Sequence, residues 1–179
     1  MKASEDLRKE HELIITTLNV LDKVVDKIEL GEKVDATDLK DIVVFLSEFA
    51  DKCHHGKEEG FYFPALERAG IPNEGGPIGV MLNEHDLGRS YIRQMRESTS
   101  SDNIDFQTFA SAAVSYIDLM SNHINKENNV LFMIGDMRMP EESQLELLKK
   151  FEEHEQNVIG EGRHQELHAL QEKLEQKYL

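Results

Sequence analysis

Residues 53–67 read CHHGKEEGFYFPALE and residues 122–132 read NHINKENNVLF. In each, a histidine is followed four residues later by a glutamate: His54 by Glu58, and His123 by Glu127. Positions i and i+4 lie one turn apart on one face of an α-helix, so each carboxylate points where its imidazole points. Apolar residues recur around both pairs at spacings of three and four. One stripe holds Val43, Leu46, Ala50, His54, Phe61 and Ala65; the other holds Phe109, Tyr116, Leu119, His123, Val130, Leu131 and Ile134. Two further segments repeat the pattern. Leu7, His11, Ile14, Leu18, Leu21, Val25 and Ile28 form one stripe, and Ile78, Met81, Leu82, His85 and Ile92 follow Pro77. A stripe of this kind faces a core, so four helices each carry one inward histidine.

The breaks between these segments fall at 31–37, 70–79, 98–103, 135–140 and 160–162, where most of the 4 Pro and 11 Gly cluster. Asp35 and Thr37 give the second segment the look of a capped helix start. No strand alternation or internal repeat is visible. The reading is all-α: an antiparallel up-down four-helix bundle over residues 1–137. Residues 138–179 add a C-terminal helical hairpin, Glu141 to Val158 and Arg163 to Tyr178, packed on the bundle.

The composition narrows the function. With 35 acidic and 20 basic residues the formal net charge is -15, which repels nucleic acid phosphates and anionic membranes. No apolar run approaches the ~20 residues of a bilayer span, and residues 1–10 carry charges where a signal peptide would be apolar. A cytoplasmic location is expected. Cys53 is the single cysteine, which excludes an internal disulfide and a zinc site of paired thiolates. It points about 100° away from His54 on a helix and reads as a core residue.

Burying a carboxylate in an apolar bundle costs several kcal/mol unless positive charge sits beside it. Apart from Arg89, neither Lys nor Arg recurs on the inward stripes. A metal cation would supply the charge, and inward Glu and His on facing helices build carboxylate-bridged di-metal centres. A nitrogen and oxygen donor set without thiolate suits iron or manganese better than copper(I) or structural zinc. Two metals are expected. His55 and Glu59 repeat the i, i+4 spacing one residue over, among Glu48, Asp51, Lys52 and Tyr62. That pair reads as a surface pair, with His55 at most supporting the ligands from behind.

His11, CHHGKEEGFYFPALE, NEHDLGR at 83–89 and NHINKENNVLF, in this order, resemble the hemerythrin-like HHE cation-binding family over residues 1–134. The resemblance implies a site of two non-haem irons (Fe2+/Fe3+) joined by an oxo or hydroxo bridge. It implies His11, His54, His85 and His123 as ligands, with Glu58 and Glu127 bridging. Oxygen-carrying hemerythrins place a second histidine four residues after the first on the third helix. Here that position is Arg89, whose side chain is free to pair with Glu84 or Asp86 or to reach outward. Two octahedral metals offer about twelve positions, of which roughly two stay unfilled by this set. His164, on a stripe with Leu167, Leu170 and Leu174 in GEGRHQELHAL (160–170), is the candidate for one; a surface histidine near a helix start is the alternative. His154 and His168 read as structural or solvent-facing, Met81 and Met120 as core filler. Tyr116 reads equally as packing or as a hydrogen-bond donor toward a metal-bound oxygen.

Such a site would take a small diatomic ligand, O2 or NO, or peroxide. The expected function is to bind or sense these ligands, or to handle iron, with no organic substrate and no identified protein partner. The alternative is iron–sulfur cluster repair, or peroxide or nitric oxide reduction. The repair proteins this resembles often carry an N-terminal cysteine-containing domain, for which nothing before His11 offers room. Whether the protein turns over a substrate is left open. A third reading, a helical interaction module, would fold equally well without metal.

Overall fold

The computed structural model describes residues 1–179 and is all helix, with no strand. Six rods follow one another: α1 (Ala3–Glu29), α2 (36–68), α3 (Pro77–Ser98), α4 (106–138), α5 (141–159) and α6 (161–178). Gly31, with φ 70°, lies just past the end of α1, and Gly160, with φ 85°, separates α5 from α6. Both adopt the left-handed backbone that glycine takes without a Cβ penalty. Asp35 stands at the N-cap of α2 but makes no side-chain cap bond; at α4, Asp105 accepts from the Thr108 backbone N–H at 3.0 Å.

Two apolar cores lie at opposite ends of the first four rods. The larger gathers Ile14 to Val25 of α1, Leu39 to Ala50 of α2, Ile92 and Met95 of α3, and Phe109 to Met120 of α4. The smaller joins Ala3 and Leu7, Tyr62 to Leu66, Ile78 and Met81, and Leu131 and Phe132. The start of α1 therefore meets the end of α2, the start of α3 and the end of α4, which is the up-down-up-down arrangement expected of an antiparallel bundle. Around the bundle α1 touches α4, α4 touches α3 and α3 touches α2. The C-terminal α5 and α6 pack on α1 and α2. Leu167 and Leu174 of α6 enter the larger core, and Leu147 and Phe151 of α5 the smaller.

Gly135 was expected to begin a break. Instead α4 runs through it to Arg138, and the glycine serves close packing. A Cβ there would stand 2.7 Å from the Tyr62 hydroxyl and 2.8 Å from a Leu66 methyl. The helices are also not uniformly α. Wider π-type turns occupy 46–55 and 58–62 of α2, 127–131 of α4 and 155–159 of α5. Each hydrogen bond there closes on the fifth residue, so residues five apart also come onto one side. Phe49 and His54, and Ala50 and His55, are such pairs within the first of these turns, and all four are buried.

Candidate metal centre

Between the two cores lies a polar slab. Its inward side chains come from the middle of each bundle rod: His11 between Leu7 and Ile14, His54 and Glu58 between Ala50 and Tyr62, His85 between Met81 and Ile92, and His123 and Glu127 between Met120 and Leu131. All six are at most 1% exposed. Six of the seven expected ligands are thus brought together, in two groups whose donor atoms all lie within 4.8 Å of one another. One contains His11, His54, Glu58 and Glu127; the other contains His55, Glu58, His85 and His123.

The carboxylates join the groups. Glu58 places one oxygen 3.4 Å from His54 Nε2 and the other 3.3 Å from His85 Nε2. Glu127 places one 3.2 Å from His11 Nε2 and the other 3.3 Å from His123 Nε2. None of these contacts has hydrogen-bond geometry. Both oxygens of Glu58 and Glu127, with His11 Nε2 and His54 Nε2, are buried without a hydrogen-bond partner. Orphaned buried donors and acceptors cost about 1–3 kcal/mol each, and here they converge on one place. Two donors at right angles around an ion ~2.1 Å away stand ~3.0 Å apart, close to the observed separations. The residues present therefore fit a cation.

The imidazoles are held for that purpose. His11 Nδ1 donates to Asn128 Oδ1 at 2.8 Å, His54 Nδ1 to Glu10 at 2.8 Å, His85 Nδ1 to Glu59 at 2.7 Å and His123 Nδ1 to Glu84 at 2.8 Å. With the Nδ1 proton committed to that acceptor, a ring takes a cation through Nε2 once any proton there is displaced, and the acceptor behind orients the ring. These four supports escaped the sequence reading because each backs a histidine on a neighbouring helix. A signal was present: Glu10, Glu59, Glu84 and Asn128 each adjoin an inward ligand in sequence.

The electrostatics follow. Burial depresses His54 and His123, but the carboxylates around them outweigh it, Glu58 and Glu10 for the first and Glu127 and Glu84 for the second, and raise each to about 10. Burial and the Glu58 charge push Glu127 up, yet His123 and His11 hold it at about 2. Without another cation, protons on imidazole carry the positive charge the carboxylates require. His55 differs: burial, then His85, His54 and His123, drive it well below its ordinary value, so it stays neutral.

Three expectations change. His55 is not on a solvated face. It is 4% exposed and stacked on His85 with ring centroids 3.8 Å apart. The π-type turn, not the α spacing, sets its direction, and Glu59 turns away to serve His85. His164 is not brought to the centre. Its Nε2 lies 3.1 Å from Glu155, its ring beside Phe49 and His168, because Leu167 and Leu174 set which side of α6 faces the bundle. A buried lysine was also missed. Lys57 is 1% exposed and meets Glu10 at 2.6 Å, Glu155 at 3.2 Å and Asp6 at 3.5 Å. Its ammonium already bridges Glu10 and Glu155, so the third acidic group, Glu10 with Cys53 and Glu155, holds a cation of the chain's own.

Arg89 takes Asp51 at 2.8 Å, Glu59 at 2.7 Å and Asp86 at 3.0 Å, which leaves Glu84 to His123 and Lys126. Tyr116 is fully buried with an unpartnered hydroxyl. His154 donates from Nε2 to the Lys52 carbonyl at 3.0 Å, and Cys53 is buried as expected.

The family model of the Hemerythrin HHE cation binding domain matches residues 2–134. Among curated proteins, uncharacterized proteins of Mycobacterium bovis and of Mycobacterium tuberculosis are 24% identical over 165 residues, 89% of this chain. The chain spans 64% of the length of those relatives. No solved structure matches it. No helix is long and apolar enough to cross a membrane.

Proposed function

Because the chain belongs to the hemerythrin HHE cation-binding family, we propose that it is a non-haem di-iron protein that binds or senses O2, NO or peroxide, or handles iron. One observation carries the reading: two buried carboxylates each present one oxygen to one imidazole group and one to the other. That is the arrangement of bridging ligands between two cations. His11 and His54 would hold one cation and His55, His85 and His123 the other, with Glu58 and Glu127 shared. The thiol-free donor set suits iron. When bound, an iron pair supplies two-electron redox change and a place for a small ligand.

The chain's own residues support that role. The Nδ1 acceptors fix four rings before any cation arrives, which lowers the ordering cost of binding. Neutral His55 can bind a cation without first releasing a proton. The centre lies between two apolar cores, and its inward side chains are buried, a setting that favours small ligands over bulky organic substrates. The test is to load the protein with ferrous iron under nitrogen and follow its ultraviolet-visible spectrum as oxygen, nitric oxide or hydrogen peroxide is added. A new band that saturates with at least one of the three is expected. A spectrum unchanged by all three would leave iron handling and sink ligand binding.

A further inference from the structure

The four histidine supports are not equivalent. His11 is backed by Asn128, His85 by Glu59 and Arg89, and His123 by Glu84 and Lys126, all from the bundle itself. The support of His54 alone leaves the bundle. Glu10 takes His54 Nδ1 on one oxygen and Lys57 Nζ on the other, at 2.8 and 2.6 Å. Lys57 Nζ then reaches Glu155 of α5 at 3.2 Å, and the second Glu155 oxygen meets His164 of α6 at 3.1 Å. Lys57 also lies over the Phe151 ring of α5, 5.7 Å from its centroid. Glu155, His164 and Phe151 all stand beyond residue 134, where the family match ends.

A lysine this buried holds one place only while its carboxylates surround it. Withdrawing Glu155 removes one of the bonds that fix the ammonium, and Glu10 then loses a fixed partner. His54 would lose the orientation that Glu10 gives it. The Nδ1 atoms of His85, His123 and His55 face Glu59, Glu84 and Asp51, all residues of the bundle, so the Glu155 chain does not run through them.

We infer that the C-terminal hairpin is a clasp on one half of the metal centre: Glu155, through Lys57 and Glu10, positions His54, so that the cation on the His11 and His54 side is retained by the docked hairpin. The cation on the His55, His85 and His123 side depends on the bundle alone. This inference rests on the two-cation reading above.

The experiment uses the full chain loaded with ferrous iron and challenged with excess chelator, release being followed by the colour of the chelate. Wild type should hold about two irons. Glu155→Gln should release one of the two at least ~10-fold faster, the lower end of what losing a ligand's hydrogen-bonded partner costs, and leave the other unchanged. Lys57→Met should repeat that pattern and Lys57→Arg, which keeps the charge and the donors, should restore slow release. Glu84→Gln, behind His123, should speed the other iron. Metal-free Glu155→Gln should melt cooperatively but below wild type, because the buried Lys57 loses one carboxylate; unchanged release of the other iron is what separates positioning from general loosening. If both irons leave faster in step, or neither does, the clasp is wrong while the two-cation centre stands. If wild type holds one iron or none, the two-cation reading fails and takes the clasp with it.

Discussion

His55 shows how a single side chain divides the possible accounts of the centre. It is neutral, buried and stacked on His85, whereas His164 is turned to Glu155. His55→Ala should lower the iron bound at saturation from about two per chain toward one, and His164→Ala should leave it unchanged; elemental analysis against protein concentration reads both. The titrating residues give a pH dependence of the metal-free protein. His54 and His123, raised to about 10 in the fold from 6.5, contribute stability that is full below 6.5 and is lost as pH rises through 10. Glu127, lowered to about 2 from 4.5, contributes stability that is full above 4.5 and is lost as pH falls through 2. Metal-free protein should therefore melt at progressively lower temperature from pH 6.5 to 10. Iron-loaded protein should not, because the cations replace those protons. Parallel melting curves for the two forms across that range would contradict this. His11, His54, Glu58, His85, His123 and Glu127 were all legible as inward residues, since an apolar stripe makes a polar member conspicuous. The buried Lys57 was not, because a lysine on a helix is ordinarily a surface residue and only its three acidic neighbours from other helices hold it inside.

At the scale of elements, four bundle rods and a hairpin follow from spacing and from glycine and proline punctuation. The π-type turns do not, because a five-residue closure leaves no compositional mark in a row of good helix formers. They matter here because Glu58 and Glu127 each open one, and because carbonyls in these turns take outside donors: Lys52 from His154 and Asn128 from Arg8, at 3.0 and 3.2 Å. Gly135 was misread for the opposite reason. A glycine marks a helix end and a close approach equally well, and only the partner helix tells them apart. Replacing it by alanine gains about 1 kcal/mol of helix propensity but drives a methyl against the Tyr62 hydroxyl and Leu66. Overpacking of a filled core costs about 1–3 kcal/mol. Gly135→Ala should thus come out destabilised by up to about 2 kcal/mol in urea unfolding, with the slope unchanged; a variant more stable than wild type would show that α2 and α4 are not so closely packed.

Over the whole molecule, a polar slab is held between two apolar cores that the chain visits alternately. Each core is ordinary helix packing and would suffice for a bundle; the slab is the costly part. In the metal-free protein only imidazole protons compensate its buried carboxylates, across contacts of 3.2–3.4 Å without hydrogen-bond geometry; a cation bound there by the folded chain alone adds its binding free energy to the fold, so metal and fold should be thermodynamically linked. A ligand present at ~100 times its dissociation constant and bound only by the folded state adds about 2.7 kcal/mol. A helical interaction module with no use for metal would show no such link. The measurement that reaches this most directly is iron per chain, determined by elemental analysis on protein reconstituted with ferrous iron and freed of excess, with the melting temperature of the same sample. About two irons and a clear rise in melting temperature over the metal-free form are predicted. Protein that retains no iron, or melts at the same temperature with and without it, would contradict the account.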